Sequence, residues 1–435
     1  MKEIRVVFPL LLVLSCAGVW AADLSGWRTR MQEANLLDRQ GRYGEAGSLY
    51  LAALEEAERS APTDTRLADS LNNLAAHYFQ CGKYADAEPL YRRALEAWKA
   101  VRPKEPRGAA LTMNNLAALY RAQGRYGEAE PLYRDSLQLL GQISGPESLD
   151  AVTALNNLAE LYRAQGKYGQ AESAARRSLE ISERIGGPDG ESTAASLFTL
   201  ASVNRDFGRY EEAAQLLGRS LTIRETALGA GHPLVSATLG NMAEVYSAQR
   251  RFAEAEPLAR RSLEIREKSL GLAHPDVAVS LNNLAQIERL QGRYIEAEPL
   301  YRRALAIWET QLGPDHPDVA RCLSNLADFY RERGRLSAAE SLYTRALAIL
   351  EKALGQNHPQ VAVVGQSLAD VYRAQGRFRK AQELQRRVVQ VFERTVGAGD
   401  PRYREALVCY ARMLREDKRR EDAARIEARV NLLLP

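Results

Sequence analysis

Cysteine is scarce in this 435-residue chain: there are four, Cys16, Cys81, Cys322 and Cys409, far apart and without a CxxC pair. That rules out a disulfide framework or a thiolate zinc cluster as the organising element and leaves the last three as buried fillers or free thiols. Histidine is nearly as rare, with five. Four of them, His232, His274, His316 and His358, stand immediately before proline at steps of 42 residues, so they occupy one recurring turn rather than converging on a metal ion. The fifth, His77, sits where equivalent segments carry Leu119 and Leu161, which predicts a packed core position.

Catalytic signatures are absent as well: there is no HExxH, no GxxxxGK[ST], no strand-borne GxGxxG and no nucleophile elbow. Gly186-Gly187-Pro188-Asp189-Gly190 is rich in glycine, but no strand precedes it, so it reads as a turn and not a phosphate cradle. The expectation is a non-enzymatic protein without cofactor or metal. Lys and Arg number 59 against 55 Asp and Glu, a near-balanced surface that gives nucleic acid no basic patch to grip. After the N-terminus no apolar run approaches membrane-spanning length.

The first residues differ from the rest. Lys2 and Arg5 precede an apolar run from Val6 to Leu14, broken only by Pro9, and small residues follow at Ala17, Gly18, Ala21 and Ala22. This layout predicts a secretory signal peptide over residues 1–21, cleaved after Ala21 with Val19 at the −3 position. The alternative is a lipobox, Val13-Leu14-Ser15-Cys16, which would leave Cys16 acylated and the protein anchored to a membrane. Either way the chain is expected to be exported, periplasmic or secreted, with no membrane insertion once the signal is removed.

Against these absences stands a strong internal repeat. Gly41, Gly82, Gly124, Gly166, Gly208, Gly292, Gly334 and Gly376 recur every 42 residues after a first step of 41, with Arg250 in the sixth place and Lys418 in the tenth. Seven residues before each lattice point lies an alanine, from Ala34 to Ala411, and five after it another, from Ala46 to Ala423. Each unit reads as two helices. In the third, Leu116, Ala117 and Tyr120 share one helical face, Gly124 stops the helix, and Ala129, Tyr133 and Leu137 follow at i, i+4, i+8 on a second helix. The alanines mark close helix crossings. The predicted architecture is all-α: a right-handed α-α superhelical solenoid of about ten helix-turn-helix units over residues 22–435, the last of them made polar as a cap by Arg419, Arg420, Glu421 and Asp422.

The motifs Asn114-Asn115-Leu116-Ala117, Asn282-Asn283-Leu284-Ala285 and Glu298-Pro299-Leu300-Tyr301, on a 42-residue period, resemble tetratricopeptide repeats of the kinesin light chain type. The resemblance covers essentially Asp23 to Pro435. It implies a scaffold that binds proteins in the concave groove lined by the first helices. No long heptad segment of the sort kinesin light chains use to join a motor is present, and a signal peptide argues against cytosolic transport.

At 100° per residue Asn114, Asn115, Ala118 and Arg121 fall opposite the core face of their helix. Stacked units would align Asn73, Asn115, Asn157, Asn241, Asn283 and Asn325 in one rung, and Arg121, Arg163, Arg205, Arg289, Arg331, Arg373 and Arg415 in another. Amides can satisfy a peptide backbone and guanidinium groups can clasp carboxylates, so the rungs suit an extended, acidic segment of a partner protein. The competing reading is that the same groups satisfy one another, as Glu160 with Arg163, Asp328 with Arg331 and Asp370 with Arg373 would at i,i+3. A self-associating, architectural solenoid without a peptide ligand is the alternative function, and homo-oligomers are compatible with either. Three departures stand out: Arg250 at a glycine position, Gly240 in the same unit, and the loss of the second-helix aromatic at Ala175, Leu217 and Ala259, which predict altered curvature or a joint.

Overall fold

The computed structural model describes residues 25–59, 64–101, 106–397 and 400–432. The signal-peptide segment and Cys16 lie outside the described residues. Within them the chain is twenty α-helices and no strand, arranged as ten consecutive pairs. The first five pairs are α1 (Ser25–Arg39) and α2 (Tyr43–Ala57), α3 (Thr65–Gln80) and α4 (Tyr84–Val101), α5 (Pro106–Ala122) and α6 (Tyr126–Ser144), α7 (Leu149–Ala164) and α8 (Tyr168–Gly186), and α9 (Glu191–Asp206) and α10 (Tyr210–Leu228). Then follow α11 (Pro233–Ala248) and α12 (Phe252–Leu270), α13 (Pro275–Leu290) and α14 (Tyr294–Leu312), α15 (Pro317–Glu332) and α16 (Leu336–Leu354), α17 (Pro359–Ala374) and α18 (Phe378–Thr395), and α19 (Pro401–Glu416) and α20 (Arg420–Asn431). Among the described residues no helix is long and apolar enough to cross a membrane.

Two compact units divide the chain: one takes the described residues up to Ile287 together with Thr310–Leu312, the other the remainder from Glu288 onward. In the first, each helix packs on its pair partner and on the helix that opens the next pair, and first helices of successive pairs also touch, as α7 does with α9. The second unit repeats this pattern from α15 to α20.

The chain turns between paired helices because the lattice glycines adopt positive φ, and the next amide bonds back five residues, as Lys83 N does to Tyr78 O at 2.8 Å. Arg250 and Lys418 are forced into the same left-handed conformation, at φ 61° and 63°, the two described non-glycine residues that adopt it. Each keeps the closing bond, from Arg251 N to Tyr246 O (2.8 Å) and from Arg419 N to Leu414 O (2.9 Å). A second glycine lattice ends the second helices, running from Gly145 through Gly187, Gly229, Gly271, Gly313 and Gly355 to Gly397 with φ of 78–90°.

First helices are opened by one recurring cap position. Asp64 and Asp400 accept the amide two residues on through a carboxylate oxygen, at 2.9 and 2.8 Å, and Ser148 accepts from Ala151 N. In four other pairs a histidine does this: Nδ1 of His232, His274, His316 and His358 accepts from the amides of Leu234, Asp276, Asp318 and Gln360 at 3.1–3.2 Å. The proline after each histidine starts the helix where no amide is needed.

Both alanine lattices are buried, none above 4% exposure, so helices cross there at backbone distance. Beside them Tyr50, Tyr91 and Tyr133 in the first unit, and Tyr301 and Tyr343 in the second, fill the space between pairs. Where Ala175, Leu217 and Ala259 replace that ring, the core turns polar, with buried Ser178 and Ser196 sharing a hydrogen bond (2.9 Å) and Ser262 pairing with Ser280 (3.1 Å). Arg266 is buried there too. It donates to Ser236 Oγ, Ser280 Oγ and Asp276 O at 2.9–3.1 Å, and burial pushes its pKa down. Elsewhere Trp98 fills the interior and donates to Thr112 (3.1 Å); Gly108 is required because a Cβ there would stand 2.2 Å from the indole.

Within the first unit the stack comes round on itself. His274 Nε2 meets Arg39 O at 3.1 Å, 235 residues earlier, and the neighbouring Gly41 leaves room for His274 and Pro275.

Candidate functional site

The first helices are less two-faced than the helical wheel predicts. Asn114 and Ala118, expected opposite the core, are only 5% and 8% exposed, and Asn115 and Arg121 are half-buried. A first helix is sandwiched between its partner and the first helices on either side, so burial extends well beyond one stripe.

Sequential stacking does bring part of the two rungs together. In the first unit Asn115 Nδ2 donates to Asn72 Oδ1 of the preceding pair (3.0 Å). Further along, Arg163 pairs with Glu160 (2.7 Å) and with Asp206 of the next pair, Arg205 donates to Asp206 (3.0 Å), Glu244 (2.7 Å) and Asn241 (3.2 Å), and Asn283 Nδ2 donates to Glu244 (2.9 Å). Asn241 Nδ2 is spent on Ala237 O (3.1 Å). Burial opposes the charge on Arg163 and on Asp206, but the opposing charges outweigh it: the arginine pKa is held well up and the carboxyl held low. The result is a continuous chain of charged groups across three helix pairs, extended to a fourth by the Asn283 amide.

Asn73 and Asn157 are half-buried, and Arg121 lies against the Tyr133 hydroxyl. Some hydrogen-bonding capacity is left over: Asn114 Oδ1, Asn283 Oδ1, Glu160 Oε1 and Arg121 Nε are buried with no partner in the protein.

In the second unit Arg289 pairs with Glu332, Arg331 with Asp328 (3.1 Å), and Arg373 with Glu416 (3.1 Å) and more loosely Asp370 (3.6 Å). Asn325 is half-buried on the same series of helices. Sequence reasoning found the i,i+3 partners but missed the acids one unit and one residue further on, Asp206, Glu332 and Glu416. Their common separation of 43 residues is the signal that reveals them.

Histidines and cysteines are not drawn into a site. Among the described residues no group of three His, Cys, Asp or Glu side chains is placed to hold a metal ion, and Cys81, Cys322 and Cys409 are free thiols. Burial raises Cys322 to about 12 and Cys409 to about 11.

Paired helices, conserved spacing of small residues at their crossings and polar rungs along the first helices define a helical-repeat scaffold for protein–protein interaction. The tetratricopeptide repeat profile matches residues 28–100, 108–184, 150–226, 200–268, 234–301 and 276–352, and a second tetratricopeptide repeat profile matches 364–402. The chain belongs to the tetratricopeptide repeat family. Solved structures similar to it include a Podosopora anserina protein with nearly identical kinesin light chain TPR-like repeats, 25% identical over 48% of this chain and 97% of that one, with a TM-score of 0.40. A Rap protein complexed with competence and sporulation factor is 16% identical over 85% of this chain and 98% of that one (TM-score 0.56). Aspartyl phosphate phosphatase F from Bacillus subtilis is 17% identical over 88% and 97% (TM-score 0.50). The last two show a common fold and nothing more. No curated protein matches the sequence significantly.

Proposed function

We propose that this chain is a non-enzymatic scaffold that holds extended segments of partner proteins along the first helices of its repeats, and that it works outside the cytoplasm, in the cell envelope. What supports the first part is membership of the tetratricopeptide repeat family together with the polar rungs along the first helices, of which Asn73, Asn115, Asn157 and Arg121 stay partly open to solvent. Rigid polar groups of this kind bind a peptide backbone without first having to be ordered. The location rests on the signal-like start of the sequence, Lys2 to Ala22.

The test is panning of a random-peptide library on the full chain, followed by calorimetry of the selected peptides. Replacing Asn115, Asn157 and Asn283 together by alanine should weaken those peptides about tenfold or more while helicity is unchanged, since each lost amide contact is worth about 1 kcal/mol. Undiminished binding by the triple variant would remove the ladder from the binding site. Fusion of residues 1–24 to a reporter enzyme that is active only after export tests the location.

A further inference from the structure

A charged cluster of an acid, a tyrosine of the following pair and two basic side chains is built fully at three junctions, while at other lattice positions a member is replaced, with Ala214 at an acid position and Asn204, Glu288 and Leu414 at tyrosine positions. Glu88 accepts from the Tyr120 hydroxyl of the following pair (3.0 Å), from Arg92 (2.9 Å) and from Arg125 (2.6 Å), and Arg125 lies over the Tyr120 ring at 4.0 Å. One pair later Glu130 takes the Tyr162 hydroxyl (3.1 Å) and Arg134 (2.8 Å), with Lys167 near the ring. In the second unit Glu298 takes the Tyr330 hydroxyl (2.8 Å) and Arg302 (2.8 Å), with Arg335 over the ring at 4.5 Å.

At the fifth pair the acid and both arginines are in place: Glu172 binds Arg176 (2.7 Å) and Arg209 (3.0 Å). The tyrosine is missing, because the lattice position is Asn204. Its short side chain turns back to Leu200 O (3.1 Å), and Arg209, deprived of a tyrosine, lies over Phe207 instead at 4.3 Å. Beside Asn204 there is a cavity of about 430 Å³, whose lining includes Arg176, Leu200, Arg209, Glu212, Leu216 and Arg219. That volume is in the range of small-ligand pockets, roughly 300–1,000 Å³. The floor is apolar, with Leu200 at 2% exposure, while the arginines at the rim are open to solvent.

We propose that this cavity is a receptor for a tyrosine side chain of a partner polypeptide, which completes from outside the cluster that the chain completes for itself elsewhere. The ring would rest between Leu200, Leu216 and the Arg209 guanidinium, and the phenol would donate to Glu172, as Tyr120 does to Glu88. Cation–π and charge-assisted hydrogen-bond contacts give such a pocket a preference for tyrosine over phenylalanine. The site is separate from the asparagine and arginine ladder, so it stands or falls independently of the groove reading.

The experiment is a titration of the full chain with N-acetyl-tyrosinamide and N-acetyl-phenylalaninamide, followed by nuclear magnetic resonance of labelled leucine methyl groups. Saturable shifts at Leu200 and Leu216 are expected, with the tyrosine probe bound about tenfold more tightly, the effect of one hydrogen bond to a charged acceptor. Asn204→Tyr should abolish binding of both probes, and Glu172→Gln, checked by circular dichroism for an unchanged melt, should reduce the tyrosine probe to the level of the phenylalanine one. The triple asparagine variant of the ladder should bind as the wild type does. Equal affinity for the two probes, no saturable shift in the wild type, or undiminished binding to the Asn204→Tyr protein would each overturn the assignment.

Discussion

His77 is a buried base held against a buried acid. Its Nδ1 lies 2.8 Å from Asp38, Gly47 makes room for the ring, and the residue is 4% exposed. Burial works against its charge, but the Asp38 hydrogen bond and the nearby Cys81 thiol outweigh it, and the pKa rises to about 9. A raised value in the folded state means that the protonated pair stabilises the protein fully below the unfolded pKa of about 6.5, and that this contribution fades as pH climbs through 9. Thermal unfolding followed from pH 6 to 10 should show a falling midpoint that His77→Leu flattens. The capping histidines make a different prediction. His316→Asp should leave the midpoint nearly unchanged, because a carboxylate caps as well as an imidazole, whereas His316→Leu should cost about 1 kcal/mol by urea unfolding. That these histidines share one recurring turn was legible from their 42-residue step before proline; that Nδ1 caps the following helix is what the structure adds. Asp38 was not: it occupies the position that other repeats give to the arginine rung, and only the packing of α1 on α3 reveals why the sign of charge is reversed there.

At the scale of the helix, the two alanine lattices set how closely neighbours approach. Ala159 is fully buried, and Ala159→Leu should destabilise by about 1 to 3 kcal/mol through overpacking, seen as an earlier circular dichroism melt. Arg250 offers the opposite test. A side chain at φ 61° carries a penalty that glycine escapes, so Arg250→Gly should stabilise by about 1 kcal/mol in urea. Helix starts, stops and crossings were readable because each depends on one residue type recurring at one position. The burial of Asn114 was not readable, because a helical wheel treats a helix as having one neighbour and these have several.

For the molecule as a whole, nearest-neighbour stacking accounts for the ladder of ion pairs, and the 43-residue separations show it linking a repeat to the next at three junctions. The period predicted that like residues would align; it did not show that Arg163, Asp206, Arg205 and Glu244 would consume much of one another's charge, because that depends on side-chain reach across a helix contact. What both rungs retain for a partner is therefore less than the sequence promises, and Asn73, Asn115 and Asn157 are the rung amides left partly exposed in the first unit. A linear array of repeats normally frays from its ends, each terminal unit opening without notice to distant ones. The contact of His274 with the Arg39 carbonyl changes that in the first unit, because it ties the opening turn to the start of α13 across 235 residues of chain. Closing so long a loop carries an entropic cost, so this bond depends on the stack beneath it to bring its two ends together. Hydrogen exchange should register the tie directly: His274→Ala should speed exchange at the Gly41 and Arg42 amides while those of α7, midway along the stack, keep their protection. Its wider meaning is kinetic: the first repeat is shielded from fraying by a residue six repeats away, so the N-terminal end of the array is a seam rather than a loose end.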